Sequence, residues 1–295
     1  MNKPIFELTP WYTRLGDFIQ LMRLDKPIGI FLLLWPTLWA LWIAGRGHPD
    51  GSVVFIFCAG VVLMRSAGCV VNDIADRKFD GKVERTKNRP LATGKIRLQE
   101  ALILFSVLMG LAFFLVLFTN LFTIALSFGA AALAGMYPLM KRYTYFPQVV
   151  LGAAFAWSIP MSFSAMTNSL PVVVWLIYAA TLVWTVAYDT MYAMVDREDD
   201  VKIGVKSTAI LFGKADIKII AALQALTVLL LWLLGINVGL GMFYYLGVMG
   251  AAVLFLHQLR LLKTRDRSNY FAAFLNNNWV GASIFAGIFL HYLFN

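Results

Sequence analysis

Residues 52–80 read SVVFIFCAGVVLMRSAGCVVNDIADRKFD, an apolar run that ends in Asn72-Asp73-Ile74-Ala75-Asp76-Arg77-Lys78-Phe79-Asp80. Roughly 20 apolar residues cross the hydrocarbon core of a bilayer as a helix. The run is continuous and does not alternate with period two, so it predicts a helix and not a barrel strand. Eight more such segments occur, at roughly 28–46, 99–118, 121–139, 149–166, 170–190, 215–235, 238–259 and 274–293. A chain that is 60% hydrophobic and 14% charged has almost nothing left for a soluble domain. The expectation is an all-α polytopic membrane protein, one domain over residues 1–295, with nine transmembrane helices in a bundle. Residues 1–26 are then a cytoplasmic or interfacial segment, and polar motif loops lie at 73–98 and 189–214.

Basic residues set the orientation. With a cytoplasmic N-terminus, all but two of the 25 Lys and Arg residues fall in cytoplasmic segments; Arg46 is external and Arg65 lies inside a span. That asymmetry matches the rule that cytoplasmic loops carry the positive charge. It also accounts for the net charge of +9, so no nucleic-acid binding is read from it. Both acidic motifs then face the cytoplasm. Cys58 and Cys69 share one apolar segment, where a disulfide framework is implausible. His48, His257 and His291 are scattered and form no metal-ligand cluster. The N-terminus lacks a cleavable signal pattern. Trp11, Leu15, Phe18 and Met22 fall at helical spacing, as in a helix lying in the interface and serving as an anchor.

A second acidic motif, Tyr188-Asp189-Thr190-Met191-Tyr192-Ala193-Met194-Val195-Asp196-Arg197-Glu198-Asp199-Asp200, ends the sixth span. Asn72, Asp73, Asp76 and Asp80 align with Tyr188, Asp189, Tyr192 and Asp196 at a constant offset of 116 residues. Four spans between equivalent positions preserve sidedness, so the repeat is parallel and its two half-sites converge on one cavity. At about 100° per residue, Asp73, Asp76 and Asp80 share a helix face, with Asn72 one turn from Asp76. Asp189, Tyr192, Asp196 and Asp200 repeat the pattern. Carboxylates packed this way at a membrane surface repel unless a cation sits between them. Mg²⁺ suits a site in which a few carboxylates supply some ligands and waters and substrate phosphates complete an octahedron.

Cations crowd the same membrane face, and a metal flanked by Lys and Arg is what a diphosphate leaving group requires. Most belong to the topology rule alone; Arg23, Lys141 and Lys206 are the candidates for diphosphate binding. Arg65 precedes Asn72 by seven residues, on the same face and about 10 Å deeper. A buried guanidinium must meet an anion or carbonyls. Either it pairs with a membrane carboxylate or it anchors an acidic co-substrate below the metal. The tryptophans at 35, 39, 42, 157, 175 and 184 are read as lipid-facing, interfacial or packing residues, a few of which could line an isoprenoid channel.

The two motifs resemble the signature pair of the UbiA superfamily of intramembrane prenyltransferases, present without departure, and the resemblance spans nearly the whole chain. Within that superfamily, Asp25-Lys-Pro-Ile-Gly-Ile-Phe-Leu-Leu-Leu-Trp-Pro36, Gly68-Cys-Val-Val-Asn-Asp73, Lys141-Arg-Tyr-Thr-Tyr-Phe-Pro-Gln148 and Asp196-Arg-Glu-Asp-Asp-Val-Lys-Ile-Gly-Val-Lys-Ser-Thr208 are most similar to the aromatic prenyltransferases of ubiquinone biosynthesis. The resemblance implies Mg²⁺ as cofactor, polyprenyl diphosphate as donor and 4-hydroxybenzoate as acceptor. It implies that Asn72, Asp76, Asp196 and Asp200 are metal ligands and that Asp73, Asp80 and Asp189 are supporting ligands or neighbours of them. Two alternatives remain at this level: the same chemistry on a naphthoate or haem acceptor, and a cation-coupled transporter. The acids lie at helix ends beside loops and not at the midplane, which disfavours transport.

Overall fold

The computed structural model describes residues 14–77, 80–82 and 86–295. Among them the chain is helical, in the order α1 Leu15–Leu21, α2 Ile28–Ala44, α3 Gly51–Asp76, α4 Leu98–Val116, α5 Leu121–Tyr143, α6 Pro147–Ala156, α7 Ser158–Thr167, α8 Val172–Ile203, α9 Thr208–Phe212, α10 Asp216–Val238, α11 Met242–Leu262 and α12 Arg267–Phe294. Among the described residues eight apolar helical stretches are long enough to span a bilayer, and the 17-residue α2 is a shorter apolar helix beside them. The protein is a multi-pass membrane protein. The crossing at 147–167 is broken between α6 and α7 at Trp157. Pro160 explains the break: it has no N–H, and its ring collides with the carbonyl of Ala156 four residues back.

Both motif loops begin later than the sequence reading placed them. Helix α3 continues to Asp76, and α8 runs through the whole second motif to Ile203, where Gly204 ends it with φ +74°. The 32 residues of α8 extend about 48 Å, whereas the hydrocarbon core is about 30 Å thick. The polar last turns are therefore helix that has left the membrane. Asp80 lies beyond the end of α3, in a 3₁₀ turn at Asp80–Lys82. The helical face expected for Asp73, Asp76 and Asp80 thus holds only for the first two, whereas in the second motif all the acids stay on one helix.

Helix α8 is the spine of the core. Trp184 stacks on Trp39 of α2 at 5.5 Å and meets Tyr188 edge-on at 5.4 Å. Their indole N–H groups donate to Asn277 Oδ1 at 2.8 Å and to the Gly281 carbonyl at 3.1 Å, so both buried donors are satisfied within α12. Trp39 and Trp184 are therefore packing residues, whereas Trp175 is exposed on the outer surface. Helices α11 and α12 approach closely at glycines. A Cβ on Gly247 would stand 2.6 Å from the Ser283 carbonyl oxygen, a backbone atom that cannot step aside. Gly247→Ala is expected to cost about 2 kcal/mol through overpacking, measured as thermal unfolding of the detergent-solubilised protein.

The N-terminal helix packs on the bundle along one side. Leu21 of α1 is fully buried with Ala67, Val70, Ile96 and Ala101, and Phe18 and Met22 pack on the same cluster. Arg14 Nη1 donates to Glu100 at 2.7 Å, tying α1 to α4. Of the face expected to serve as an anchor, Phe18 and Met22 pack on the protein whereas Leu15 is exposed, and Trp11 lies outside the described residues.

Candidate active site

The first half-site is built at the end of α3. Asp73 and Asp76 are 1% and 4% exposed, so each needs a positive partner. Arg23, held just after α1 in a left-handed backbone conformation with φ +58°, donates from Nη2 to both Asp73 oxygens at 2.9 and 3.1 Å. Arg89 spans two carboxylates, with Nη1 3.0 Å from Asp73 Oδ1 and 2.9 Å from Asp80 Oδ1. Burial pushes the Asp80 carboxyl above its usual range, and the Arg89 guanidinium works against that rise. Lys141, in the last turn of α5, is ion-paired with Asp76. Its neighbour Arg142 donates to the Ala75 carbonyl at 2.7 Å, a bond suited to the negative end of the α3 dipole. Asn72 is half-buried one turn below Asp76.

The second half-site is the polar end of α8. Asp196 is buried, and Asp189, Tyr192 and Asp200 are half-buried on the same helix. The returning chain is pinned beside it. Thr190 and Thr208 hydroxyls lie 2.7 Å apart, and the Thr208 N–H donates to Gln148 Oε1 at 3.1 Å. The Lys206 N–H donates to the Lys141 carbonyl at 3.0 Å, its Nζ donates to the Tyr143 carbonyl at 3.2 Å, and the ammonium stands 5.5 Å from the Tyr145 ring centroid. Lys206 therefore sits at the rim, joined to the helix that supplies Lys141.

The half-sites meet over α5. Tyr137 is within electrostatic reach of Asp76 and Asp189, one from each motif, and of Arg65 and Tyr192. Arg65 in turn senses Tyr137, Tyr188 and Tyr192. Among the described residues Arg65 has no carboxylate partner. Its Nη1 donates to Cys69 Sγ at 3.0 Å, and its Nε is buried without a hydrogen bond. The guanidinium lies against Gly29 of α2, where a Cβ would come within 2.2 Å of Nε. It borders a largely apolar cavity of about 470 Å³, walled by α3, α4, α5, α6 and α7 through residues such as Phe57, Met109, Phe113, Phe128 and Phe155, with Tyr137 at its edge.

The donor set fits a hard divalent cation. Asp76 Oδ1 is buried and has no hydrogen-bond partner, an acceptor of the kind a cation satisfies. Among the described residues no three His, Cys, Asp or Glu side chains close into a site of their own. A divalent cation held there would complete its shell with waters and substrate phosphate oxygens.

Most candidates from the sequence are thus brought together: Asn72, Asp73, Asp76, Asp80, Arg23 and Lys141 at one helix end, Asp189, Asp196 and Asp200 on the other helix, Lys206 at the rim and Arg65 beneath. Three residues were not singled out. Tyr137 was detectable as the residue one turn before Lys141 on α5. Arg89 was one of many loop cations. Gly29 belongs to the Asp25–Pro36 segment, but its closeness to Arg65 is visible only in three dimensions.

The chain matches the model of the UbiA prenyltransferase family over residues 33–285. It is 60% identical over 281 residues, 95% of each chain, to the 4-hydroxybenzoate octaprenyltransferase of Azotobacter vinelandii. It superposes on a UbiA homologue from Aeropyrum pernix K1 with TM-score 0.79 at 27% identity, covering 89% of this chain and 97% of that one. It shares the fold of a UbiA homologue from Archaeoglobus fulgidus bound to GPP and Mg²⁺, with TM-score 0.65 at 18% identity over 92% and 99% of the chains. With its paired acidic motifs, its apolar helical bundle and a match over most of its length, the chain belongs to the UbiA prenyltransferase family.

Proposed function

We propose that this protein is an Mg²⁺-dependent 4-hydroxybenzoate octaprenyltransferase of the bacterial inner membrane, active at the cytoplasmic face and serving ubiquinone biosynthesis. The observation that carries the reading is the vertical order of the site: acidic motifs and cations at the mouth, then Tyr137 and a guanidinium with no carboxylate partner among the described residues, beside an apolar cavity. That order matches the two substrates, a diphosphate on an apolar tail and a small aromatic acid. The relative's name supplies the acceptor and the tail length.

Asn72, Asp76, Asp196 and Asp200 are assigned as metal ligands, and Asp73, Asp80 and Asp189 as groups that support them. Bound Mg²⁺ would neutralise the diphosphate and stabilise it as a leaving group. Arg23, Lys141 and Lys206 add positive charge at the oxygens that gain negative charge when the allylic C–O bond breaks. The apolar cavity excludes water from the allylic cation. Arg65 takes the acceptor carboxylate and so presents the ring carbon ortho to the hydroxyl, which attacks the cation and then loses its proton. The grouping of nearly all basic residues at the end of the bundle that carries both motifs supports the cytoplasmic placement.

Membranes containing the protein, given Mg²⁺, octaprenyl diphosphate and 4-hydroxybenzoate, are expected to yield the 3-octaprenyl product by mass. Product from a naphthoate but none from 4-hydroxybenzoate would overturn the acceptor assignment. Lys206→Ala is expected to raise the KM for the diphosphate by about tenfold, as for loss of one charged hydrogen bond, with little change for the acceptor; steady-state kinetics with each substrate varied in turn checks this.

A further inference from the structure

Two segments of chain bring arginines to Asp73: Arg23 follows α1, and Arg89 lies in the connection that leads from α3 to α4. The same two segments are clasped to each other farther from the site. Arg14, just before α1, pairs fork to fork with Glu100 in the first turn of α4, Nη1 to Oε1 at 2.7 Å and Nη2 to Oε2 at 2.8 Å. Its Nη2 also donates to the Lys95 carbonyl at 3.1 Å. One turn on, Asp17 of α1 stands 3.6 Å from Lys95 Nζ. The charges are crossed, a base and an acid on each side, so one placement of α1 along the connection satisfies both pairs. Glu100 is itself fixed, because it accepts from the Arg97 N–H at 2.8 Å and sits where a helix start favours negative charge.

Helix α1 needs this fastening. Its seven residues are too few to hold a helix without docking. Leu21, Phe18 and Met22 secure its C-terminal part in the apolar cluster, whereas Arg14 and Asp17 hold its N-terminal part. What the helix carries is Arg23, whose left-handed φ of +58° is a conformation that costs an L residue about 1–2 kcal/mol. Such a conformation persists where the surroundings over-determine it. Here Arg23 Nη1 donates to the Gln20 carbonyl at 2.8 Å while Nη2 holds Asp73. The guanidinium is braced between the last turn of α1 and the first acidic motif, so its place at the mouth follows the place of α1.

We propose that Arg14 and Glu100 are positioning residues for diphosphate binding: by clasping α1 to the start of α4 they hold Arg23 where it meets the diphosphate. They act through Arg23. The inference rests on the assignment of Arg23 to diphosphate binding.

Binding can be read without turnover, by calorimetric titration of inorganic diphosphate with Mg²⁺ into the purified full-length protein in nanodiscs. Arg14→Gln and Glu100→Gln are each expected to weaken diphosphate binding about fivefold, the scale of one well-formed, partly exposed ion pair. The glutamine at 100 keeps an oxygen for the Arg97 N–H, so the start of α4 is retained. Loss of the Glu100 charge by itself would favour an anion, so weaker binding in Glu100→Gln has the sign of lost positioning and not of direct electrostatics. The double variant Arg14→Gln/Glu100→Gln is expected to bind within about twofold of either single variant, because both remove one interaction. The decisive comparison is in the Arg23→Ala background, where adding Glu100→Gln is expected to change binding by less than about twofold. A clasp with a merely structural role would weaken binding there as well, and that result overturns the proposal. Unchanged or tighter binding in either single variant also overturns it. Should Glu100→Gln fail to fold, Arg14→Gln alone and in the Arg23→Ala background decides in the same way. Arg23→Ala by itself separates the two levels: unchanged diphosphate binding there overturns the assignment of Arg23, whereas weaker binding there with unchanged binding in both clasp variants overturns only the role of the clasp.

Discussion

Asp76→Ala and Asp196→Ala are each expected to lower the prenyl-transfer rate by about 10²–10³-fold or more, the scale seen when a group that stabilises developing charge is removed. Asp76 ends α3 at 4% exposure, with one oxygen paired to Lys141 and the other buried without a partner. Its removal takes away a cation ligand and also leaves the Lys141 ammonium without its counter-charge. The check is single-turnover transfer at saturating Mg²⁺, paired with Mn²⁺ binding in the presence of inorganic diphosphate. Near-normal rates in both variants would refute the metal assignment. Asp76→Asn discriminates further: it keeps the shape and loses the charge, so it should retain folding and still fail in metal-dependent diphosphate binding.

The second large effect is at Arg65. Arg65→Ala is expected to raise the KM for the aromatic acid by about 10–100-fold, as for a charge-assisted hydrogen bond worth about 1.5–3 kcal/mol, while the KM for the diphosphate changes little. Arg65→Lys should not restore binding, because an ammonium lacks the planar fork that grips a carboxylate. Gly29→Ala should move in the same direction, since the added methyl would occupy the space of the guanidinium. An acceptor analogue without the carboxylate should lose nothing further in Arg65→Ala. Equal effects on both substrates, or loss of the folded protein, would return Arg65 to a structural role.

The sequence readings that succeeded depend on local rules. Nine apolar segments become apolar helices because lipid compels each backbone to satisfy itself within its own helix, so length and hydropathy suffice. The helix ends were less legible. The reading closed the sixth span at 190, yet α8 runs to Ile203 because a helix need not stop where the membrane does. The parity of the two motifs was overestimated: α3 stops at Asp76, and Asp80 is carried into a turn where Arg89 holds it. At Arg65 two alternatives stood open, and the absence of a carboxylate partner among the described residues favours the ligand-binding one.

Chain composition was enough to dictate membrane insertion, the number of apolar helices, the sidedness of the basic residues and the pairing of two acidic motifs 116 residues apart. Each of these follows from the solvation of residues taken singly or within one helix. Which cation meets which carboxylate was decided only in three dimensions. Arg23 and Arg89 share Asp73, Lys141 takes Asp76, Arg197 turns to Asp216, and Arg65 rests against Gly29. Long basic side chains can reach many anions from a given position in sequence, and the choice among them is made by burial and by the packing of helices far apart in the chain.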